Sequence, residues 1–107
     1  LHAMSRRQRQ MCIRDSSDIY FNEEKPPSLL NSDPQFDHTV ELYSLTKGYS
    51  MAGWRVGFAV GNESAISSLT KLKSYIDYGT FQPIQIASTV AINELDHYPK
   101  EVSHYHK

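Results

Sequence analysis

The chain has 107 residues, 39% of them hydrophobic, a formal net charge of -1 and a mean hydropathy of -0.53. That suffices for one small domain at most, and with no apolar run near the roughly 20 residues of a membrane helix the chain reads as soluble, with no membrane partner. Four of its 11 basic side chains (Arg6, Arg7, Arg9 and Arg14) lie in residues 1–14, which hold no acid, so the other seven face all 12 acids and the remainder is mildly acidic, against a nucleic-acid surface.

The single cysteine, Cys12, excludes an internal disulfide and fits a reducing compartment, the cytoplasm. Residues 1–16 differ in character from the rest. The run Met11-Cys12-Ile13-Arg14-Asp15-Ser16 resembles translated sequencing-adaptor read-through, with a basic arm or transit peptide as the alternative. Residues 1–16 are therefore expected to be a non-native leader, and residues 17–107 to carry the fold. The chain starts at Leu1 and stops after His104-Tyr105-His106-Lys107 without a capping signal, as expected of a piece of a longer protein.

Asp18-Ile19-Tyr20-Phe21 reads as a short β-like run. The stretch from Asn22 to Phe36, with Pro26, Pro27 and Pro34, reads as a loop. From Thr39 to Ser44, Val40, Leu42 and Ser44 alternate with Glu41 and Tyr43, which predicts a strand. Lys47 to Gly53 is a Gly- and Ser-rich connection. Arg55 to Val60 predicts a second strand, with Val56, Phe58 and Val60 on one face. Gly57 and Ala59 leave its other face nearly bare, open to a flat ligand or a helix. Trp54 is expected to be a buried aromatic at the strand start, and Gly53 to be there for its conformational freedom.

Asn62 is a good N-cap, with Glu63 in the first turn. Ala65, Ile66, Leu69, Leu72 and Ile76 recur at helical spacing to about Asp77. After a polar, aromatic connection from Asp77 to Gln82, Pro83 suits the first position of a second helix. Its stripe is Ile84, Ala87, Ala91 and Leu95, widened by Ile86 and Val90, and Pro99 ends or interrupts it. Only about ten residues join the two strands, so they should be antiparallel neighbours. An α/β unit of one strand pair and two long helices encloses no satisfactory core, and its apolar stripes call for a larger sheet.

Lys47 sits at the end of the first strand and Arg55 at the start of the second. A lysine held in a pocket can lose its charge and form an imine with an aldehyde. Ser44 and Arg55 are groups suited to gripping a phosphate. Lysine plus phosphate grip is what a pyridoxal phosphate site requires. The plainer alternatives are a solvated turn lysine, a strand-end hydroxyl bonded to backbone, and a surface ion pair for Arg55.

Ser44-x-x-Lys47 followed by Gly53-x-Arg55 and a β run resembles the cofactor-lysine segment of class I pyridoxal-phosphate-dependent aminotransferases, over about Ser17 to Lys107. The run Ser74-Tyr75-Ile76-Asp77-Tyr78-Gly79-Thr80-Phe81-Gln82-Pro83-Ile84-Gln85 is most similar to the alanine (glutamate–pyruvate) transaminase branch. The resemblance implies a fragment of the large domain of a fold-type-I transferase, with pyridoxal 5'-phosphate as cofactor and an amino acid and a 2-oxo acid as substrates. It implies that Lys47 binds the cofactor and shuttles the substrate proton, a role favoured by burial and by the nearby cationic Arg55. Ser44 and Arg55 would bind the cofactor phosphate. In that family the region of Tyr78 and Thr80 approaches the neighbouring subunit's active site, which implies a homodimer; packing of Tyr78 beneath the loop is the alternative. His97, His104 and His106 lack a supporting thiol cluster and are read as solvent-facing, with no metal.

Two positions depart from the family. An aspartate for the cofactor ring nitrogen and a tyrosine for the ring oxygen belong near Ile13 and Ser16, and neither type is there. The later domain that clamps the substrate carboxylate is also missing. The chain as it stands is therefore expected to lack useful transaminase activity, whereas its parent has it. One rival is a serine acyl-transfer hydrolase, since Ser44-x-x-Lys47 also fits S-x-x-K, but that chemistry needs the serine to open a helix and needs S-D-N and K-T-G partners. A second is a non-catalytic interaction module. Selective trapping of pyridoxal phosphate on Lys47 separates these from the transaminase reading.

Overall fold

A computed structural model describes residues 10–20 and 24–105, with side chains as far as Val102. Arg6, Arg7, Arg9, Phe21, His106 and the side chain of His104 lie outside it. Three strands, β1 (Gln10–Arg14), β2 (Thr39–Ser44) and β3 (Gly57–Gly61), form one sheet in the order β1-β2-β3. The expected antiparallel pair is there, with Val40 opposite Gly61 and Ser44 opposite Gly57. β1 adds a parallel neighbour, from Gln10 opposite Thr39 to Arg14 opposite Tyr43.

The run at Asp18 is not a strand. Ile19 N–H donates to the Ser16 carbonyl at 3.1 Å and closes a turn. The buried Asp18 carboxylate takes Lys25 Nζ at 2.7 Å and the Tyr43 hydroxyl, which turns the chain away from the sheet. The faces of β2 also differ from the alternation expected. Thr39 and Glu41 are the buried positions, because Arg14 reaches across from β1. Arg14 Nε lies 3.0 Å from Glu41 Oε1, with side chains only 9% and 10% exposed. The other Glu41 oxygen accepts from Ser28 Oγ (2.7 Å) and Leu29 N–H (3.0 Å). Arg14 also donates to the carbonyls of Pro27 (2.5 Å) and Pro26 (3.0 Å), so one buried ion pair pins the 24–32 loop to the sheet.

A single helical turn, α1 (Leu45–Gly48), follows β2 where a connection was expected. Ser44 caps it, and the glycines of the expected connection fall at its last residue, Gly48, and beyond, so they do not break it. A 3-10 turn at Ala52–Trp54 leads to Arg55 in the left-handed region (φ 52°, ψ 49°), so β3 starts at Gly57 rather than Arg55. What approaches the bare Gly57 is β2 itself: a Cβ there would lie 2.5 Å from the Tyr43 carbonyl oxygen. Trp54 is exposed instead of buried, and Gly53 has open space around it.

Helix α2 (Glu63–Ile76) is capped as expected: Asn62 Oδ1 accepts from Ala65 N–H at 3.1 Å. Helix α3 (Gln82–Glu94) has Pro83 as its second residue, and Pro99 sits in the first turn of a further helix, α4 (Tyr98–Tyr105). The buried apolar residues among those described are Leu45, Met51 and Ala91, with Tyr43, Tyr49 and Val56 packed against them. Burial, and then the Asp18 and Asp96 carboxylates, push the Tyr49 phenol above its ordinary value. Leu69, Leu72, Ile76, Ile86, Val90 and Leu95 stay exposed on α2, α3 and the end of α3. The radius of gyration is 16.2 Å, against about 13 Å for a compact domain of this length. The slab is flat because the helical stripes have no second layer to cover them.

Asp33 closes the turn before β2. His38 N–H, then Thr39 Oγ1 and Asp37 N–H, hold its carboxyl below the ordinary 3.8 against a smaller opposing effect of burial. A carboxyl lowered on folding stabilises above its unfolded value and loses that stabilisation as pH falls through the folded one. Asp33→Asn should therefore flatten the fall in stability between about pH 5 and pH 3. Urea melts across that range check it; an unchanged slope counts against the turn's role.

Candidate functional site

Ser44, Lys47 and Arg55 are brought to one end of the β2–β3 hairpin by backbone pairing. Ser44 is opposite Gly57, and Leu45 N–H donates to the Val56 carbonyl at 3.3 Å. This puts Ser44 beside the residues flanking Arg55, while α1 carries Lys47 outward. Of the four non-glycine residues with positive φ among those described, Ser50 and Arg55 flank this turn and Tyr78 lies in the loop between α2 and α3. Such backbones cost of order 1–3 kcal/mol each and cluster at functional segments.

The three side chains make their hydrogen bonds elsewhere. Ser44 Oγ accepts from Thr46 N–H (3.3 Å) and donates to Thr46 Oγ1 (2.7 Å). Arg55 Nη1 donates to the Ala52 carbonyl at 3.2 Å. Lys47 is exposed rather than pocketed, 44% at its side chain. Its Nζ donates to Ser16 Oγ and lies 3.8 Å from Asp15 Oδ2. Beneath α1, a Cβ at Gly48 would come 2.7 Å from Asp18 Oδ2, so only glycine lets the turn sit on that carboxylate.

A hydroxyl, an exposed guanidinium and a primary amine at one hairpin end are a donor set suited to a phosphate and an aldehyde. The chain's residues thus fit that end of pyridoxal phosphate. They do not fit the ring end: Ile13 is an exposed apolar residue in β1, and the Ser16 hydroxyl is engaged with Lys47. The S-x-x-K rival gains a helical turn at Lys47, yet Ser44 is its extended cap residue rather than a helical one.

Tyr78 is 94% exposed, in left-handed conformation, and so does not pack beneath its loop. The Lys73 ammonium, then Gly79 N–H at 3.0 Å, hold the Asp77 carboxyl below its ordinary value and shape this loop. Thr80 and Tyr78 line a hollow with Ala59, Ile66 and Leu69. His97 is exposed beside Asp96 and Glu101, and among the described residues no group of acids, histidines and thiols is placed to hold a metal.

Asp15, Ser16, Asp18 and Glu41 were not anticipated from the sequence. Asp15 and Ser16 lie in the stretch read as foreign. For Glu41 the signal was available: it is the one charged position within β2.

The family model for aminotransferase class I and II matches residues 14–107. AatC of Rhizobium meliloti (strain 1021) is 56% identical over 77 residues, 72% of this chain and 19% of that protein. The glutamate-pyruvate aminotransferase AlaC of Escherichia coli (strain K12) is 41% identical over 92 residues, 84% of this chain and 22% of that protein. An LL-diaminopimelate aminotransferase of Nitratidesulfovibrio vulgaris (strain DSM 19637 / Miyazaki F) is 44% identical over 87 residues, with 80% and 22% covered. A solved aminotransferase structure from Staphylococcus aureus superposes with a TM-score of 0.82 at 38% identity, over 89% of this chain and 25% of that one. The chain thus spans about a fifth of the length of the curated relatives it matches.

Proposed function

This chain belongs to the aminotransferases of class I and II, with their fold-type-I α/β architecture, and from that premise we propose that the protein it is part of moves an amino group between an amino acid and a 2-oxo acid using pyridoxal 5'-phosphate at Lys47. The observation that supports the site is the hydrogen bond from Leu45 N–H to the Val56 carbonyl, which joins the chain neighbours of Ser44 and Arg55 at the hairpin end that carries Lys47. The cofactor, when bound, supplies an aldehyde and an electron-withdrawing ring. Lys47 contributes the amine and takes and returns a proton at Nζ. Ser44 contributes a hydroxyl donor to the phosphate and Arg55 a charged fork. Both long side chains are exposed, so Arg55 leaves the Ala52 carbonyl and Lys47 leaves Ser16 at little cost.

Alanine or glutamate is the favoured amino donor, supported by the 74–85 loop and by the similarity to AlaC. LL-diaminopimelate is the second reading, supported by the similarity to the Nitratidesulfovibrio enzyme. Tyr78 and Thr80 belong to a loop that reaches a partner subunit, in a cytoplasmic homodimer; among the described residues no helix is long and apolar enough to cross a membrane. Residues 1–16 remain a proposed non-native leader, although the family match takes in their last three residues. The full-length protein should yield pyruvate from alanine with 2-oxoglutarate, and leave the pyridoxyl mass on Lys47 after borohydride reduction. Turnover of LL-diaminopimelate with none of alanine selects the second reading, and a label on other lysines but not Lys47 defeats the site. The 107-residue chain should show no such turnover; ordinary enzyme rates from it would refute that expectation.

A further inference from the structure

The turn that carries Lys47 is too short to hold its own shape. α1 has four residues, closed by Tyr49 N–H on the Leu45 carbonyl at 3.2 Å, and an isolated turn of that length is unstable in water. Its first residue, Leu45, is anchored in the core at 1% exposure. Its last, Gly48, rests on Asp18. The three atoms nearest to a Cβ at Gly48 all belong to that side chain: Oδ2 at 2.7 Å, Cβ at 3.1 Å and Cγ at 3.2 Å. Asp18 is only 5% exposed, and no step of the proposed reaction uses it. Both of its oxygens are bonded: Lys25 Nζ donates to Oδ1 at 2.7 Å and the Tyr43 hydroxyl donates to Oδ2. On a further side Asp18 borders a hollow of about 150 Å³, which it shares with Tyr49, Asp96, Pro99 and Lys100.

We propose that Asp18 is a positioning residue for Lys47: its carboxylate, fixed from β2 and from the 24–32 loop, is the seat that sets the height of the α1 turn and with it the reach of the Lys47 amine. This role rests on the reading of Lys47 as the reactive lysine and deepens it. The phosphate grip draws on Ser44 and Arg55, whereas the Gly48 end of α1 decides where Nζ meets the reacting carbon. A misplacement of about 1 Å there costs on the order of 10²-fold in rate. Removal of the Asp18 side chain joins the space under Gly48 to the neighbouring hollow, and the turn loses its floor. Asparagine keeps the floor, because it has the same shape: its amide oxygen accepts from Lys25, and the Tyr43 hydroxyl rotates to accept from its amide N–H.

Variants of the full-length protein test it. Asp18→Ala should lower kcat about 10- to 100-fold per cofactor-bearing site, with cofactor affinity and the amino-acid KM within about threefold of the parent. Asp18→Asn should stay within about threefold of the parent in all three quantities. A residue that only supported the fold would lower the melting temperature and the fraction of loaded sites, not the rate at each loaded site. The second readout needs no turnover. Pyridoxal phosphate is added to the cofactor-free protein with borohydride: the amine bonds the aldehyde carbon, water leaves, and hydride reduces the C=N bond. The pyridoxyl mass on Lys47 should appear about tenfold or more slowly in Asp18→Ala and at the parent's rate in Asp18→Asn. Should Asp18→Ala not fold, Gly48→Ala decides, because its methyl pushes on the same carboxylate from above and should slow trapping about threefold or more. Unchanged kcat and trapping in the folded variants, or an equal loss in Asp18→Asn and Asp18→Ala, overturn the seat. A parent protein that acquires no label on Lys47 defeats the cofactor reading instead.

Discussion

Lys47→Arg in the full-length protein should lower transamination at least about 10³-fold while leaving the folded state and the charge intact. Arginine keeps the positive charge and the length, but its guanidinium does not give up a proton in water and cannot condense with an aldehyde. The proton shuttle alone accounts for about 10²–10⁴, and loss of the covalent attachment adds to it. By contrast, Ser44→Ala removes one hydroxyl donor from a multi-donor phosphate grip, worth about 1.5–3 kcal/mol as a bond to a charged group, or roughly 10- to 100-fold in cofactor affinity. The ordering is the test. Steady-state rates and cofactor titration for both variants check it, and a Lys47→Arg enzyme within tenfold of the parent would remove Lys47 from the chemistry.

Arg14→Met in the 107-residue chain should cost about 3 kcal/mol. The substitution leaves the Glu41 carboxylate, 10% exposed, with Ser28 and Leu29 as donors but no charge partner. Removing one member of a buried pair costs about 3–5 kcal/mol, because the survivor stays desolvated. It also frees the carbonyls of Pro26 and Pro27. For a chain of this length the loss corresponds to roughly 15 °C in melting temperature. The double variant Arg14→Met with Glu41→Leu should recover part of the loss, since it removes the unpaired charge. Thermal melts and the coupling from the four-member cycle measure it. A drop of under 2 °C would make the pair a surface contact of little weight.

The local elements were legible because their causes are local. Asn62 as cap, Glu63 in the first turn and the apolar spacing to Ile76 lie within one helix, and α2 has those bounds. The hairpin followed from a short Gly- and Ser-rich connection between two β runs. The lysine block carried the family, as the match over residues 14–107 bears out. The misreadings share a different cause. The alternation in β2 predicted a strand without showing that Glu41 would be buried, which it is because an arginine 27 positions earlier neutralises it. Asp18 heads an apolar run, but a lysine and a tyrosine hydroxyl draw it into a turn. Arg55 was read as extended, and the 3-10 turn before it forces a left-handed residue there.

The amino-acid order by itself determined the β2–β3 pair, helices α2 and α3, and the family. Only the tertiary structure decided which face of β2 is buried, where the Lys47 amine rests, and that residues 10–14 complete the sheet. Periodicity and capping act over three or four positions and leave a mark in the sequence. Charge pairing across strands depends on which distant segment arrives alongside, and no local pattern encodes that arrival.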